Sequence, residues 1–511
     1  MPAMTAVPAI ELRAIDKSFG DVHAVRAVSL TIRKGSITGL VGENGAGKST
    51  LMSILYGLYR ADSGEIRVEG ERVEMGSPRD AIAHGIGMVH QHFMLIDSFT
   101  VLENLVLGAE GGFLLGRGMA AARSEVARLE REYGLSIDPD ARIADLSVGE
   151  QQRVEILKVL LRGARILILD EPSAVLTPQE TERLFRILGV LRDGGVTVIL
   201  ITHKLREVMA VTDQVFVMRQ GEVVAERRTV DTTPDELAEL MVGRKVRLGV
   251  DRQPARRGPA LLRAEGLSLV DRHGIGLLDG IDLEVHGGEI VGIAGVSGNG
   301  QTELLQVLAG MRAPTGGTIT ICGRTFDAGH PGDPAERRAL GLAHVPEDRL
   351  RQGLVAAFHA SETSILGYQN EARFSPHHLI DRPAVRTYCA ELMQRFDVRP
   401  PLPGLRSAQF SGGNQQKLVL AREISHEPKV LLVGQPTRGV DIGAIEFIHR
   451  ELVRCRDRGC AILLVSVELD EILALSDRIL VMSSGHIVGE SAGGTASERA
   501  LGLMMAGMKA A

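Results

Sequence analysis

The stretch GENGAGKS, residues 42–49, has the residue types and spacing of a phosphate-binding loop. It follows the apolar run SITGLV and precedes the helical pattern TLMSILYGL, which is the context such a loop requires. Its glycines would let backbone N–H groups face phosphate oxygens at a helix N-terminus, and a plain glycine-rich turn is the less favoured interpretation. Lys48 would reach the β- and γ-phosphates, while the Ser49 hydroxyl would bind Mg²⁺. The predicted nucleotide-binding residues here are Gly42, Glu43, Asn44, Gly45, Ala46, Gly47, Lys48, Ser49 and Thr50.

Two adjacent carboxylates, Asp170 and Glu171, end the apolar stretch RILILD. Asp170 could hold Mg²⁺ through water, and Glu171 could polarise an attacking water molecule. On an isolated strand end, an acidic pair is by default a solvated surface feature. The phosphate loop in the same half of the chain favours the catalytic interpretation.

The elements that must position these residues occur twice. GLVGENGAGKSTLMSILYGL returns as GIAGVSGNGQTELLQVLAGM, with an offset of 253 residues between Gly42 and Gly295. LSVGEQQR (146–153), ILILDEPS (166–173) and ITHKLREV (201–208) return as FSGGNQQK (410–417), VLLVGQPT (430–437) and VSVELDEI (465–472), each with an offset of 264. Apolar strands such as RILILD and VTVILIT alternate with helical patterns, which predicts an α/β core around a mainly parallel sheet. The duplication predicts two homologous domains with a net insertion of eleven residues in the second.

Between the copies lies GRKVRLGVDRQPARRGPA, residues 243–260, with six Lys or Arg residues and two prolines. A solvated linker is favoured over a lipid- or nucleic-acid-binding patch, because this segment falls at the repeat boundary. We therefore predict domains at 9–243 and 261–500, joined by a linker at 244–260.

The composition of the chain argues against several classes of function. The 511 residues are 44% hydrophobic and 24% charged, with a net charge of −6, so we expect no nucleic-acid partner. The four cysteines form no CxxC pair, which argues against a zinc site and fits a reducing compartment. We also expect no secretory signal and no membrane span, since no stretch approaches about 18 consecutive apolar residues.

In order and spacing, GENGAGKS, LSVGEQQR, ILILDEP and ITH resemble the motifs of the ATP-binding subunits of ABC transporters, and the resemblance covers both halves. It implies an α/β fold of two tandem P-loop NTPase domains. Each would have a parallel-sheet core, an antiparallel β part and an α-helical subdomain. It also implies that the two domains close head to tail, so that each ATP is held by one domain's phosphate loop and the other domain's signature segment.

The same resemblance implies roles for single residues. Phe19 matches the aromatic that stacks on adenine, although by itself it would more often be a core residue. Gln91 matches the glutamine that contacts Mg²⁺ and lies at the permease contact, and His203 matches the switch histidine at the γ-phosphate. Where the family usually has an aspartate, this chain has Thr177. The predicted catalytic residues are Glu171, His203 and Gln91, and the predicted Mg²⁺ ligands are Ser49, Gln91 and Asp170.

The second copy lacks this chemistry but keeps an intact signature. The residues at the positions of Lys48, Asp170, Glu171, His203, Gln91 and Phe19 are Gln301, Gly434, Gln435, Val467, Glu347 and Arg272. Its signature retains Ser411, Gly412 and Gly413, whereas the first signature has Val148 where a glycine is expected. Head-to-tail closure would therefore give one hydrolytic site, completed by Ser411–Gly413, and a second site that at most binds nucleotide.

The leading hypothesis is an ATP-hydrolysing subunit of an ABC importer, bound to the cytoplasmic face of the cell membrane. Two transmembrane permease subunits and an extracytoplasmic solute-binding protein are the implied partners, with ATP and Mg²⁺ as cofactors. A tandem chain with a weakened second half resembles simple-sugar and nucleoside importers, and VSGNGQTEL and GQPTRGVDIGAIEFIH look more like the nucleoside branch. The alternative is a ribose- or galactose-type importer. A more distant one is a soluble tandem ABC ATPase acting on ribosomes, which usually keeps both catalytic sets and carries a long charged arm.

Overall fold

The computed structural model describes residues 7–20, 22–91, 93–108, 115–173, 176–245, 252–296, 298–440 and 442–505. The chain divides into two compact units, Met1–Val246 (unit 1) and Arg247–Ala511 (unit 2). The predicted linker 244–260 spans this division, and its residues 246–251 lie outside the described residues.

Unit 1 alternates strands and helices. Its strands are β1 (Ile10–Phe19), β2 (Val22–Ile32), β3 (Ile37–Gly42), β4 (Ser63–Val68), β5 (Glu71–Val73), β6 (Ile86–Val89), β7 (Ile166–Asp170), β8 (Thr197–Ile201), β9 (Gln214–Arg219) and β10 (Glu222–Arg228). Its helices are α1 (Lys48–Leu55), α2 (Pro78–Ala83), α3 (Val101–Val106), α4 (Leu115–Tyr133), α5 (Val148–Leu161), α6 (Pro178–Asp193), α7 (Leu205–Val211) and α8 (Pro234–Val242).

A six-stranded sheet with the order β10-β9-β3-β8-β7-β6 forms the centre of unit 1. Its pairs are parallel except for β9 with β10. In β7, Ile168 packs toward the four-stranded antiparallel sheet β2-β1-β4-β5, while Leu169 packs toward Leu157 of α5 and Leu188 of α6. Both faces of the parallel strands are therefore buried, which explains why these strands are almost continuously apolar.

The register of this sheet brings the predicted site residues to one edge. β3 runs parallel to β8 with Leu40 level with Ile201, and β7 runs parallel to β8 with Asp170 also level with Ile201. The loops that leave the carboxyl ends of β3, β7 and β8 carry residues 42–47, 171–173 and 202–204. Three distant parts of the sequence thus meet at the carboxyl edge of the sheet.

Unit 2 repeats this arrangement. Its strands are β11 (Ala260–Val270), β12 (Gly276–His286), β13 (Ile290–Ala294), β14 (Gly316–Ile321), β15 (Arg324–Asp327), β16 (Leu342–Val345), β17 (Val430–Gly434), β18 (Ala461–Ser466), β19 (Arg478–Ser483) and β20 (His486–Ala492). Its helices are α9 (Gln301–Leu308), α10 (Pro334–Ala339), α11 (Ala360–Thr363), α12 (Arg382–Arg395), α13 (Gly412–Ile424), α14 (Ile442–Asp457), α15 (Leu469–Leu475) and α16 (Glu498–Met505).

The sheets of unit 2 have the orders β16-β17-β18-β13-β19-β20 and β12-β11-β14-β15, the first mainly parallel and the second antiparallel. The prediction of a parallel core with an antiparallel β part and a helical part is thus confirmed in both units. Within the described ranges, none of the helices has the length and apolarity needed to span a lipid bilayer.

The segment that precedes β11 is bonded to unit 2. Arg252 Nη1 donates to the carbonyl oxygen of Leu475 at 2.9 Å and pairs with Asp477 at 3.0 Å. Arg257 Nε donates to the buried carboxylate of Glu289 at 2.9 Å. The part of the predicted linker from Arg252 onward is therefore held against unit 2.

Candidate functional site

The loop between β3 and α1 adopts a conformation that depends on its glycines. Gly45 and Gly47 have φ angles of 82° and 96°, in the left-handed region that favours glycine. A Cβ atom on Gly42 would lie 2.3 Å from the carbonyl oxygen of Met218, and one on Gly47 would lie 2.3 Å from that of Ala24. The loop can take this path only with glycine at these positions.

Lys48 begins α1 and is buried, with 6% of its surface exposed. Its Nζ donates to the carbonyl oxygens of Gly42 at 2.8 Å and Glu43 at 2.9 Å. Burial lowers the pKa of Lys48, and the charges of Glu171, Asp170 and Glu43 oppose that shift. A phosphate bound beside this ammonium, at the start of α1, would stabilise the buried charge.

The acidic pair shows two different environments. Burial, followed by the charge of Glu171, raises the pKa of Asp170, and a hydrogen bond from Ser49 opposes this shift. Glu171 follows the strand with a left-handed φ of 47°, and its N–H donates to the carbonyl oxygen of Ile201 at 2.9 Å. Glu171 therefore lies in a turn just beyond the strand, and its carboxylate has other partners than that of Asp170.

Glu171, His203 and Gln91 form a hydrogen-bonded group. His203 Nδ1 lies 2.8 Å from Glu171 Oε1, and Gln91 Nε2 donates to Glu171 Oε2 at 3.0 Å. Although burial acts to raise it, the pKa of Glu171 is lowered by the hydrogen bond and charge of His203 and by the charges of Lys48 and Lys204. The structure therefore brings together all three residues predicted to be catalytic.

Phe19 ends β1 and is 43% exposed. Its ring meets Tyr59 edge to face, with 5.2 Å between the ring centroids, and Lys17 Nζ lies 5.4 Å from its centroid. An exposed aromatic ring of this kind can stack on a nucleobase. Tyr59 was missed by the sequence analysis, since it follows α1 without any motif that would mark it.

The two signature segments differ at their helix starts. Ser411 caps α13, and Asn414 Nδ2 donates to Ser411 Oγ at 2.9 Å. A Cβ on Gly412 would lie 2.8 Å from the carbonyl oxygen of Gly439, so this position in unit 2 has no room for a side chain unless the backbone shifts. In unit 1, Ser147 caps α5, and the equivalent position holds Val148, whose side chain is 36% exposed.

Thr177 has a local structural role. It caps α6, and its hydroxyl and N–H both contact Glu180 Oε2, at 3.0 and 2.9 Å. The other oxygen, Glu180 Oε1, accepts from the N–H of Gly149 in the first signature at 3.3 Å. The residue that replaces the family's usual aspartate is thus joined to the signature of its own unit.

Unit 2 keeps the shape of the phosphate loop without its charge. Gly298 and Gly300 have φ angles of 91° and 100°, close to those of Gly45 and Gly47. Gln301 Nε2 donates to the carbonyl oxygen of Val296 at 3.1 Å, much as Lys48 bonds to its own loop. The loop therefore folds in the same way but offers a phosphate no cation at this position.

Unit 2 has no acidic pair, and a carboxylate at its position equivalent to Asp170 would fit only if neighbouring side chains moved. A Cβ on Gly434 would lie 2.5 Å from Glu347 Cγ and 2.8 Å from Leu305 Cδ1. Gln435 has a φ of 47°, like Glu171, but its Oε1 accepts from the N–H of Val467 at 3.2 Å. The backbone of the turn is retained, while Glu347 and Leu305 fill the space an Asp170-like side chain would need.

Comparisons with known proteins identify the family of the chain. The family model described as ABC transporter matches residues 25–174 and 278–438. The chain is 44% identical to the nucleoside import ATP-binding protein NupA of Lactococcus lactis, with 98% of each chain covered. It is 45% identical to the guanosine import ATP-binding protein NupO of Bacillus subtilis, covering 98% of this chain and 97% of NupO. It is also 45% identical to the glucose import ATP-binding protein TsgD13 of Haloferax volcanii, covering 99% and 96%.

Proposed function

Since the chain belongs to the ABC transporter family of ATP-binding proteins, which hydrolyse ATP to drive transport, we propose that it powers the import of nucleosides. The observation that carries this proposal is the similarity, over nearly the whole chain, to two proteins named for nucleoside and guanosine import. Import of a simple sugar is the second candidate, and the similarity to a glucose import protein favours it.

We propose that ATP is hydrolysed at the carboxyl edge of the unit 1 sheet. Lys48 would exchange its two carbonyl partners for phosphate oxygens, since a charge-assisted bond to phosphate is the stronger one. The Glu171 carboxylate would orient the attacking water and accept its proton. With a proton on Nδ1, His203 donates to Glu171, and it would donate from Nε2 to a γ-phosphate oxygen only in the imidazolium form, which carries protons on both ring nitrogens.

The residues around Ser49 fit Mg²⁺. The Ser49 hydroxyl, the Asp170 carboxylate and the Gln91 amide offer the hard oxygen donors that Mg²⁺ prefers, and a hydrogen bond from Ser49 acts to lower the pKa of Asp170. Mg²⁺ usually takes one or two carboxylates and completes its shell with water and substrate phosphates, so this small donor set is sufficient. When bound, the ion would neutralise charge on the β- and γ-phosphates.

Further nucleotide contacts are proposed from the family resemblance. Phe19 would stack on adenine, and Ser411, Gly412 and Gly413 would act on the same nucleotide as Lys48. Unit 2 would at most bind a second nucleotide, because Gln301, Gln435 and Val467 replace the phosphate-binding and catalytic groups.

Two permease subunits and a solute-binding protein are the proposed partners, which places the chain at the cytoplasmic face of their membrane. A cavity of about 110 Å³ is lined among others by Tyr56, Met94, Arg162 and His90, the residue that precedes Gln91. Met94 is largely exposed. We propose that a permease segment enters here, where its movement would reach Glu171 through the hydrogen bond from Gln91.

The transported substrate can be identified by assaying the complete transporter. The chain, its permeases and its binding protein are reconstituted in lipid vesicles, and ATP turnover and solute accumulation are measured with guanosine, adenosine, ribose, galactose and glucose. Guanosine and adenosine should raise turnover and accumulate, whereas the sugars should do neither. Stimulation by a free sugar and by no nucleoside would replace the first candidate with the second.

A further inference from the structure

A buried carboxylate joins the two loops that carry Glu171 and His203. Glu207 lies in α7, four residues after His203, and is 6% exposed. Its Oε2 accepts a hydrogen bond from the hydroxyl of Thr202 at 3.0 Å, and its Oε1 accepts one from the hydroxyl of Ser173. Thr202 directly precedes His203, and Ser173 follows Glu171 by two residues. The Glu207 side chain thus bridges the two loops through these two hydroxyl groups.

Nearby hydrogen-bond donors and positive charges offset the cost of burying the Glu207 carboxylate. Burial raises the pKa of Glu207, and the charges of Lys204 and His203 and the hydrogen bonds from Ser173 and Thr202 oppose that shift. A buried carboxylate is costly unless such donors satisfy it. The bridge also lies beside a strained turn, because Glu171 holds a left-handed φ of 47° that surrounding contacts must maintain.

Unit 2 provides an internal comparison at the same spacing. Glu471 lies 264 residues after Glu207 and is equally buried, at 4% exposed. Its Oε1 lies 3.0 Å from Nε2 of His449, and its Oε2 has no hydrogen-bond partner among the described residues. Unit 1 has Phe185 at the position of His449, so its glutamate has no such partner there. In the unit that lacks the catalytic pair, the same glutamate does not join the two loops.

We propose that Glu207 is a positioning residue, which holds the Ser173 and Thr202 loops together so that Glu171 and His203 stay within hydrogen-bonding distance. The proposal rests on the hydrolytic role proposed for Glu171. Glu207 does not touch the reacting atoms in this scheme. It should therefore affect the rate of hydrolysis rather than the affinity for ATP.

The principal experiment replaces Glu207 by glutamine in the full chain. Glu207→Gln keeps the size of the side chain but removes the negative charge to which both hydroxyls donate, and its Nε2 can only donate to the hydroxyl that it faces. We expect kcat to fall about 10- to 100-fold, because small displacements of catalytic groups cost this much, while KM for ATP stays within about twofold. Glu471→Gln is the matched control in unit 2 and should leave both constants unchanged.

A second variant covers the case in which Glu207→Gln does not fold. Ser173→Ala removes one hydroxyl from the bridge and should lower kcat in the same direction. If both act through the bridge, the effects of the single changes will not add in the double variant. Thermal unfolding and binding of a fluorescent ATP analogue show whether each variant retains its fold and its nucleotide.

The outcomes separate the two proposals. If Glu171→Gln retains wild-type turnover, the proposed hydrolytic site is wrong. If Glu171→Gln is inactive while Glu207→Gln and Ser173→Ala keep wild-type kcat, only the positioning role is wrong. The positioning role would also be wrong if Glu207→Gln lost ATP binding in parallel with turnover. It would be wrong as well if Glu471→Gln lost as much turnover as Glu207→Gln.

Discussion

His203 Nδ1 and Glu171 Oε1 lie 2.8 Å apart, and the other oxygen of Glu171 accepts from Gln91 at 3.0 Å. Both oxygens of the proposed base are therefore engaged. An attacking water must share one of them or displace one partner. Gln91 is the more exposed of the two partners, so it is the one we expect to move when water and nucleotide enter.

Glu171→Gln should abolish most turnover and leave ATP binding intact. The amide cannot accept the proton of the attacking water, and loss of a positioned general base costs about 10²–10⁴ in rate. Phosphate release is measured alongside equilibrium binding of ATP. Gln435→Glu is the control: it places a carboxylate at the matching position of unit 2 and should not raise turnover, since Gln301 and Val467 remain.

At acidic pH, the rate of hydrolysis should depend on the ionisation of the Glu171 carboxylate. Its lowered pKa means that it stays ionised down to pH values below its ordinary 4.5, and activity is lost only as the pH falls through the lowered value. His203→Ala removes the hydrogen bond and charge that lower this pKa, while burial still acts to raise it. The acidic limb of the residual kcat should therefore move to higher pH in this variant. An unchanged acidic limb, with the fold verified by circular dichroism, would exclude Glu171 as the titrating group.

Ser411→Arg should impair hydrolysis more strongly than Ser147→Arg. Both serines are helix N-caps, so each change costs a similar amount of stability, about 0.5–2 kcal/mol. The resemblance implies that only Ser411 serves the nucleotide bound by Lys48. Turnover and unfolding temperature are measured for both variants. Equal losses of turnover at equal stability would contradict the assignment of Ser411 to the hydrolytic site.

Gly434→Asp should destabilise unit 2 rather than restore a metal-binding carboxylate. The new side chain would overlap Glu347 Cγ and Leu305 Cδ1, and overpacking of this kind costs about 1–3 kcal/mol. Calorimetry should show a lower unfolding temperature. Adding Glu347→Ala removes the side chain nearest to the new Cβ and should recover part of the loss. No change in unfolding temperature for Gly434→Asp would show that the site has room after all.

Much of the site could be predicted from sequence because its parts are marked by local patterns. The glycine spacing, the acidic pair after a buried strand and the ITH segment each identify a loop. Their convergence follows from a parallel sheet, which places the ends of β3, β7 and β8 at one edge. Gln91 and Glu171 meet in this way although 80 residues separate them.

Other features could not be predicted from the residue types. Glu207 and Glu471 are the same residue type at equivalent positions, but Glu471 bonds to His449, whose position in unit 1 is occupied by Phe185, and Glu207 bonds to Thr202 and Ser173. The sequence shows Gly434 at the position equivalent to Asp170, so the absence of a carboxylate there could be predicted. Only the packing shows that Glu347 fills the space that this side chain would need. Contacts of this kind are set by tertiary packing, which a one-dimensional pattern does not record.

The bonds between residues 252–258 and unit 2 decide where a recombinant fragment of the second half can begin. A fragment starting at Ala260, the first residue of β11, would lack Arg257 and leave Arg478 as the remaining arginine partner of Glu289, whose side chain is fully buried. It would also expose the N–H and carbonyl groups of Gly287 that bond to Gly258 and Pro259. A fragment starting before Arg252 keeps all of these bonds, and we expect it to be the one that expresses in folded form.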